Sequence, residues 1–107
     1  MAQVKDLPHD LLAEKTLLGC LMVDGRSYDQ MSDLKLEGKD FYHPQYGLIY
    51  EAITDLNRAT NPVDYITVCG KLTERGQLEK VGGQSAVLEI IEEQASTANI
   101  YHYAKIV

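Results

Sequence analysis

The chain has 107 residues, 45% of them apolar and 24% charged, the balance of one globular domain with a single core rather than of a disordered or membrane chain. Its net charge is −6 and its ten Lys and Arg residues are scattered, so the clustered cations that neutralise phosphates are missing and the domain alone is expected to bind DNA poorly. The longest uncharged apolar run, residues 17–23, is too short to span a bilayer, and Lys5 and Asp6 precede no signal-peptide segment; a cytoplasmic location is expected.

Helical periodicity recurs along the chain, and no segment alternates as a strand does. The first segment, residues 10–23, is apolar nearly all round its wheel through Leu11, Leu12, Leu17, Leu18, Leu21, Met22 and Val23. Such a helix is either buried on most sides or part of an interface, and Asp24-Gly25 supplies its stop. A short second segment, residues 27–34, carries Tyr28, Met31 and Leu34 at three-residue spacing. The third, residues 44–57, opens with Pro44 in its first turn and places Tyr46, Ile49, Tyr50, Ile53 and Leu56 on one face. In the fourth, Asp64 suits the N-cap, Val63 and Val68 are spaced as a hydrophobic staple, and Arg75-Gly76 ends the helix. The fifth covers residues 84–94, with Val87, Leu88, Ile90 and Ile91 expected inward. The sixth starts near Asn99 and repeats Ile100, Tyr103, Ala104 and Val107 in helical register, still in period at the last residue, which suggests excision from a longer protein. The core is therefore expected to contain Leu17, Leu18, Leu21, Ile49, Ile53, Val68, Leu72, Leu88 and Ile91.

Chemical motifs are scarce. The pair Gly82-Gly83 stands in front of an apolar helix, where a phosphate loop would place its glycines. Such a loop needs Lys and then Ser or Thr after the last Gly, and a buried strand before it. Here Gln84-Ser85 follow and the polar connector "RGQLEKV" precedes, so the pair reads as a turn between two helices. His9, His43 and His102 are not at metal-ligand spacing with each other or with the cysteines. Cys20 and Cys69 fall on inward faces, where a thiol is small, reduced and inert. Glu89, Glu92 and Glu93 read as a solvated helix face. The seven tyrosines have no adjacent cations to make a base-stacking platform and suit core or interface positions. The residues alone reach a helical module for protein interaction.

Five stretches take the reading further: "LPHDLLAEKTLLGCLMVD" at residues 7–24, "DFYHPQYGLIYEAITDL" at 40–56, "PVDYITVCGKL" at 62–72, "GQLEKVGG" at 76–83 and "TANIYHYAKIV" at 97–107. In order and spacing they resemble the N-terminal domain of the DnaB-type replicative DNA helicases, over nearly the whole chain. The family often has an aromatic where Ala86 stands, a proline in the loop occupied here by "EEQASTANI", and a polar or basic residue near Gly47.

The resemblance implies an all-α fold, a compact orthogonal bundle of about six helices forming one domain over residues 1–107. It implies that the whole protein continues into a helical hairpin, a linker and a RecA-like ATPase domain that would hold ATP and Mg²⁺, with no cofactor, metal or catalytic residue in the present segment. It further implies a non-catalytic head that pairs with its own kind in the collar of a ring-shaped hexamer and docks the C-terminal domain of primase. Ala86, Glu89, Glu92, Glu93, Tyr101 and Ile106 are the expected protein-contact residues. Two other classes make different demands: a helix-turn-helix DNA binder needs a basic recognition helix, and a small helical enzyme needs polar groups converging in a pocket.

Overall fold

In the computed structural model, residues 8–23, 28, 34–92 and 104–107 are described. Four α-helices carry the fold: α1 (Pro8–Val23), α2 (Pro44–Arg58), α3 (Tyr65–Glu74) and α4 (Gly83–Glu92). A 3-10 turn, η1 (Gly38–Asp40), leads into α2, and a second, η2 (Glu79–Val81), leads into α4. Residues 104–106 form a further helical turn. No strand occurs among the described residues. The all-α expectation holds, and the bundle measures 38 × 27 × 23 Å.

Each helix begins for a local reason. Helix α1 opens at Pro8, whose missing amide hydrogen costs nothing in a first turn. At α3 the expected cap is present in full. The Asp64 carboxylate accepts from Thr67 N–H at 2.9 Å, and the Thr67 hydroxyl accepts from Asp64 N–H at 2.9 Å, a reciprocal box that satisfies two otherwise orphaned donors. Val63 is half-buried and Val68 fully buried, as a staple requires. Past the C-cap Ala59 of α2 stands Thr60, a β-branched residue held at φ 58° where glycine is the usual occupant; the bond from Asn61 N–H to Leu56 O at 2.9 Å closes that cap. Gly82 and Gly83 both adopt positive φ, 105° and 81°, and Gly83 N–H bonds Leu78 O at 2.9 Å. The glycine pair is thus the turn that starts α4 against η2, the conformation only glycine adopts freely.

Helix α1 runs through the middle, packed on α2 and α4, while α2 also packs on α3. Leu17, Leu18 and Leu21 of α1 meet Ile49, Tyr50 and Ile53 of α2 and Val68 and Leu72 of α3 in one core. Tyr28 and Leu34, the described members of the second predicted segment, are half-buried against it. Most of the sixth segment lies outside the described residues, although its Ala104 is buried in the core and Val107 packs on the edge. Two expectations for α4 need correction. Leu88 is 41% exposed, and Ile91 is only half-buried. Four apolar positions at 87, 88, 90 and 91 cover more than the helix can bury: with 100° per residue, Val87, Ile90 and Ile91 cluster within one arc and Leu88 falls outside it. Val87 and Ile90 take the core places.

Gly47 marks the close approach of two backbones. A Cβ on Gly47 would stand 2.4 Å from the Gly38 carbonyl oxygen, so the η1 backbone lies directly on α2 there. A Cβ on Gly38 would meet only the flexible Glu51 side chain. Gly47→Ala should therefore lower stability by about 1–3 kcal/mol through overpacking, although Ala is the better helix former by about 1 kcal/mol. Gly38→Ala should cost under about 1 kcal/mol, since Glu51 can swing aside. Urea unfolding of the two variants checks the order, and a Gly47→Ala domain as stable as the parent would remove the close approach. In the same assay Ile53→Ala should cost about 2–5 kcal/mol, whereas Leu88→Ala should cost under about 1 kcal/mol.

Candidate functional site

Among the described residues no group of three or more His, Cys, Asp or Glu is arranged to hold a metal ion. Both thiols are buried, and burial pushes their pKa values up, with a hydrogen bond from Tyr65 partly opposing this at Cys69. Protonated at neutral pH, they are poor nucleophiles. Tyr50 behaves likewise: burial, then the neighbouring Tyr28, raises its hydroxyl pKa. Its ring is stacked with Tyr28 at 6.4 Å and tilted against Phe41 at 5.1 Å, so this tyrosine is a packing element.

A groove of about 510 Å³ lies between η1, α2 and the end of α3, lined by Gly38, Glu51, Asp55, Arg58, Arg75 and Gln77 among others. Its charges are of both signs, and Arg75 is already paired with Asp55, an ion pair that ties the end of α3 to α2. A second, shallower groove of about 490 Å³ runs beside α3, past Asn61, Pro62, Gly70, Lys71 and Glu74. Neither groove brings together a nucleophile, a base and an orienting group, the constellation that would mark an acyl- or phosphoryl-transfer site.

The surface of α4 offers a different chemistry. Glu89 and Glu92 are exposed, as the sequence implies, and Leu88 is exposed beside them. One turn separates Leu88 from Glu92, so an apolar side chain stands flush with two carboxylates. Ala86 is half-buried, on the side of α4 that meets the Gly82 turn: a Cβ on Gly82 would come within 2.8 Å of the Ala86 Cβ. Ile106 is half-buried in the last described turn. Glu93 and Tyr101 lie outside the described residues. Leu88 is the member of this surface that sequence reasoning missed; its offset from Val87, Ile90 and Ile91 on the helical wheel was the available signal.

The most consequential polar residue was also missed. Glu14, in α1, is 1% exposed. Its carboxylate accepts from Tyr42 N–H at 2.6 Å and from His43 N–H at 3.3 Å. His43 is the N-cap of α2, and its own side chain makes no capping bond. A carboxylate from α1 therefore serves the start of α2, where the helix dipole also favours negative charge. The His43 ring sits between Tyr42 and Tyr46, with centroids at 5.3 and 5.5 Å, and its Nδ1 approaches the Glu14 carboxylate at 3.8 Å, beyond hydrogen-bond range. Glu14 stands in helical register with Leu17, Leu18 and Leu21, and a carboxylate on that apolar face was the sequence signal for this clasp.

A small all-helical module, its helices joined by a buried carboxylate and an ion pair, is the class that this fold defines. Residues 6–107 match the family described as DnaB-like helicase N terminal domain, and the chain belongs to that family. It is 37% identical over 102 residues to the replicative DNA helicase DnaB of Leifsonia xyli subsp. xyli, covering 94% of this chain and 22% of that protein. It is 36% identical to the same-named proteins of Buchnera aphidicola subsp. Baizongia pistaciae, over 95% of this chain and 22% of the relative, and of Mycobacterium leprae, over 94% and 16%. The crystal structure of the N-terminal domain of DnaB helicase from Mycobacterium tuberculosis superposes with a TM-score of 0.85 at 32% identity, covering 90% of this chain and 68% of that one. The chain spans about a fifth of the length of the first two relatives.

The Glu14 clasp carries a stability prediction. Glu14→Ala leaves two backbone donors without their charged acceptor and should cost about 2–4 kcal/mol. Glu14→Gln keeps an acceptor oxygen and should cost less. Thermal or urea unfolding of both variants checks this, and an Ala variant within about 0.5 kcal/mol of the parent would show that the carboxylate is dispensable.

Proposed function

We propose that this domain is the non-catalytic head of a hexameric, ATP-dependent replicative DNA helicase, supporting ring assembly and docking the C-terminal domain of primase at the replication fork in the cytoplasm. The motor chemistry, with ATP and Mg²⁺, belongs on this reading to a separate RecA-like domain of the whole protein. Family membership over residues 6–107 supports the helicase part. None of the described helices is long and apolar enough to cross a membrane.

The observation that carries the docking reading is the exposed Leu88 beside exposed Glu89 and Glu92 on α4. An apolar contact with a charged rim is how a modest protein interface is built, and Leu88 supplies the apolar centre. Glu93, next in sequence, is the third carboxylate assigned to this rim. Ala86, in place of the aromatic frequent in the family, makes this edge shallower and its partner contact weaker. Tyr101 and Ile106, from the last segment, are assigned to contact between heads.

Rim charges act mainly on the rate and salt dependence of association, and buried anchors on dissociation. Neutralising Glu89, Glu92 and Glu93 to Gln should therefore slow association of a cognate primase C-terminal domain several-fold at low salt and little at high salt. Leu88→Ala should instead speed dissociation by up to about tenfold, equivalent to about 1.4 kcal/mol. Surface-plasmon kinetics at two ionic strengths test both. An unchanged low-salt association rate in the triple variant would put the primase contact elsewhere.

A further inference from the structure

The groove between η1, α2 and the end of α3 contains polar atoms that the fold leaves unmet. Thr54 Oγ1 and Gln77 Oε1, from two residues that line it, are buried and have no hydrogen-bond partner among the described residues. Buried polar atoms rarely stay so unless a ligand or a water completes them. Gln77 is held at this place by its backbone, whose N–H donates to Leu72 O at 2.8 Å just past the left-handed turn at Gly76. At about 510 Å³ the groove has the size of a site for a small ligand or a large side chain.

The charges decide what can fill it. Glu51, Asp55 and Arg58 follow one another along one face of α2, about a turn apart. Asp55 is spent on Arg75, and Glu37 is paired with Lys39 at 3.4 Å. Glu51 has no ion pair among the described residues, and its carboxylate lies across the η1 backbone, where a Cβ on Gly38 would strike it. Arg58 is exposed and stands two turns farther on, about 10 Å along the helix, far enough for salt to screen it from a cation at Glu51. The unmet groups of the groove are therefore oxygens, and they call for a donor of several N–H groups. A guanidinium supplies them: its planar fork suits a carboxylate and leaves donors for a further oxygen, whereas an ammonium is a compact point charge. Leu36 and Tyr50 offer apolar wall for the stem of an arginine, and the chain's net charge of −6 draws cations toward it.

We infer that this groove receives an arginine side chain of a protein partner, the guanidinium forked on Glu51 and bonded to Gln77 Oε1. The rim residues Glu37, Glu51 and Arg58 are exposed, so the groove is open along one side and does not enclose a free molecule as small-molecule sites do. A side chain presented by a larger surface needs no such enclosure. The site is separate from the acidic surface of α4 and does not depend on primase docking.

The probe is N-acetyl-arginine amide, an arginine blocked at both ends as it is within a chain, titrated into the domain and followed by amide NMR shifts. Saturable shifts are expected at Thr54, Asp55 and Gln77, with a dissociation constant on the order of millimolar, as suits one side chain without its neighbours. Blocked citrulline, of the same shape without the charge, and blocked lysine should each bind at least about fivefold more weakly. Glu51→Gln, at an exposed position, should weaken the blocked arginine by a similar factor. Gly38→Ala keeps the Glu51 charge but pushes the carboxylate aside, and it should weaken binding too while the domain stays folded; Glu89→Gln, on α4, should change nothing. The same spectra report whether each variant is folded. Citrulline binding as well as arginine, a Glu51→Gln domain with unchanged affinity, shifts that centre away from the groove, or no saturation by about 20 mM would each overturn the proposal. Free arginine binding at least about tenfold tighter than the blocked form would assign the groove to a metabolite and overturn the protein partner.

Discussion

A carboxylate inside an apolar helix sets the geometry of this domain. Glu14 is enclosed as completely as the leucines around it, and a buried charge without partners is among the most costly features a fold can hold. Its partners are backbone N–H groups of Tyr42 and His43, so the segment entering α2 must stand at one place along α1. Apolar packing tolerates sliding and repacking. A charge bonded to fixed backbone donors does not, and it converts a greasy contact between α1 and α2 into a specific one.

The other contacts follow from that placement. With α2 held by its first turn, Gly47 faces the η1 backbone, and the missing Cβ lets the Gly38 carbonyl lie against the helix. The Arg75–Asp55 ion pair fastens the far end of α3 to α2. Phe41 and Tyr50 close the side of the core beneath η1. Helix α4 then covers α1 from the other side through Val87 and Ile90, and its remaining apolar residue, Leu88, is left at the surface between carboxylates. Glu14 and the Arg75–Asp55 pair thus spend their charges on joining helices.

The outer surfaces of α3 and α4 obey one physical constraint. A small domain must keep its exposed apolar residues apart, because large apolar patches would aggregate it. The large apolar residues exposed on the described surface are Val23, Tyr42, Ile66 and Leu88, well separated along the chain.

Much of the architecture was legible in the sequence by itself. Periodicity located α2, α3 and α4 to within two residues, because amphipathic helices repeat their apolar positions every three or four residues whatever their neighbours are. The Asp64 cap, the Val63 and Val68 staple and the Gly82-Gly83 turn were legible for the same reason: each is settled within a few residues of chain. The five stretches in register identified the family. Tertiary structure alone decided where Glu14 ends up, since its N–H donors lie 28 and 29 residues away. It alone decided that Leu88 loses its place in the core to Val87 and Ile90, and that Gly47 is needed for a backbone from η1. Those outcomes depend on which helices meet and at what level, and such competition for interior space is set by the assembled neighbours, not by any one segment.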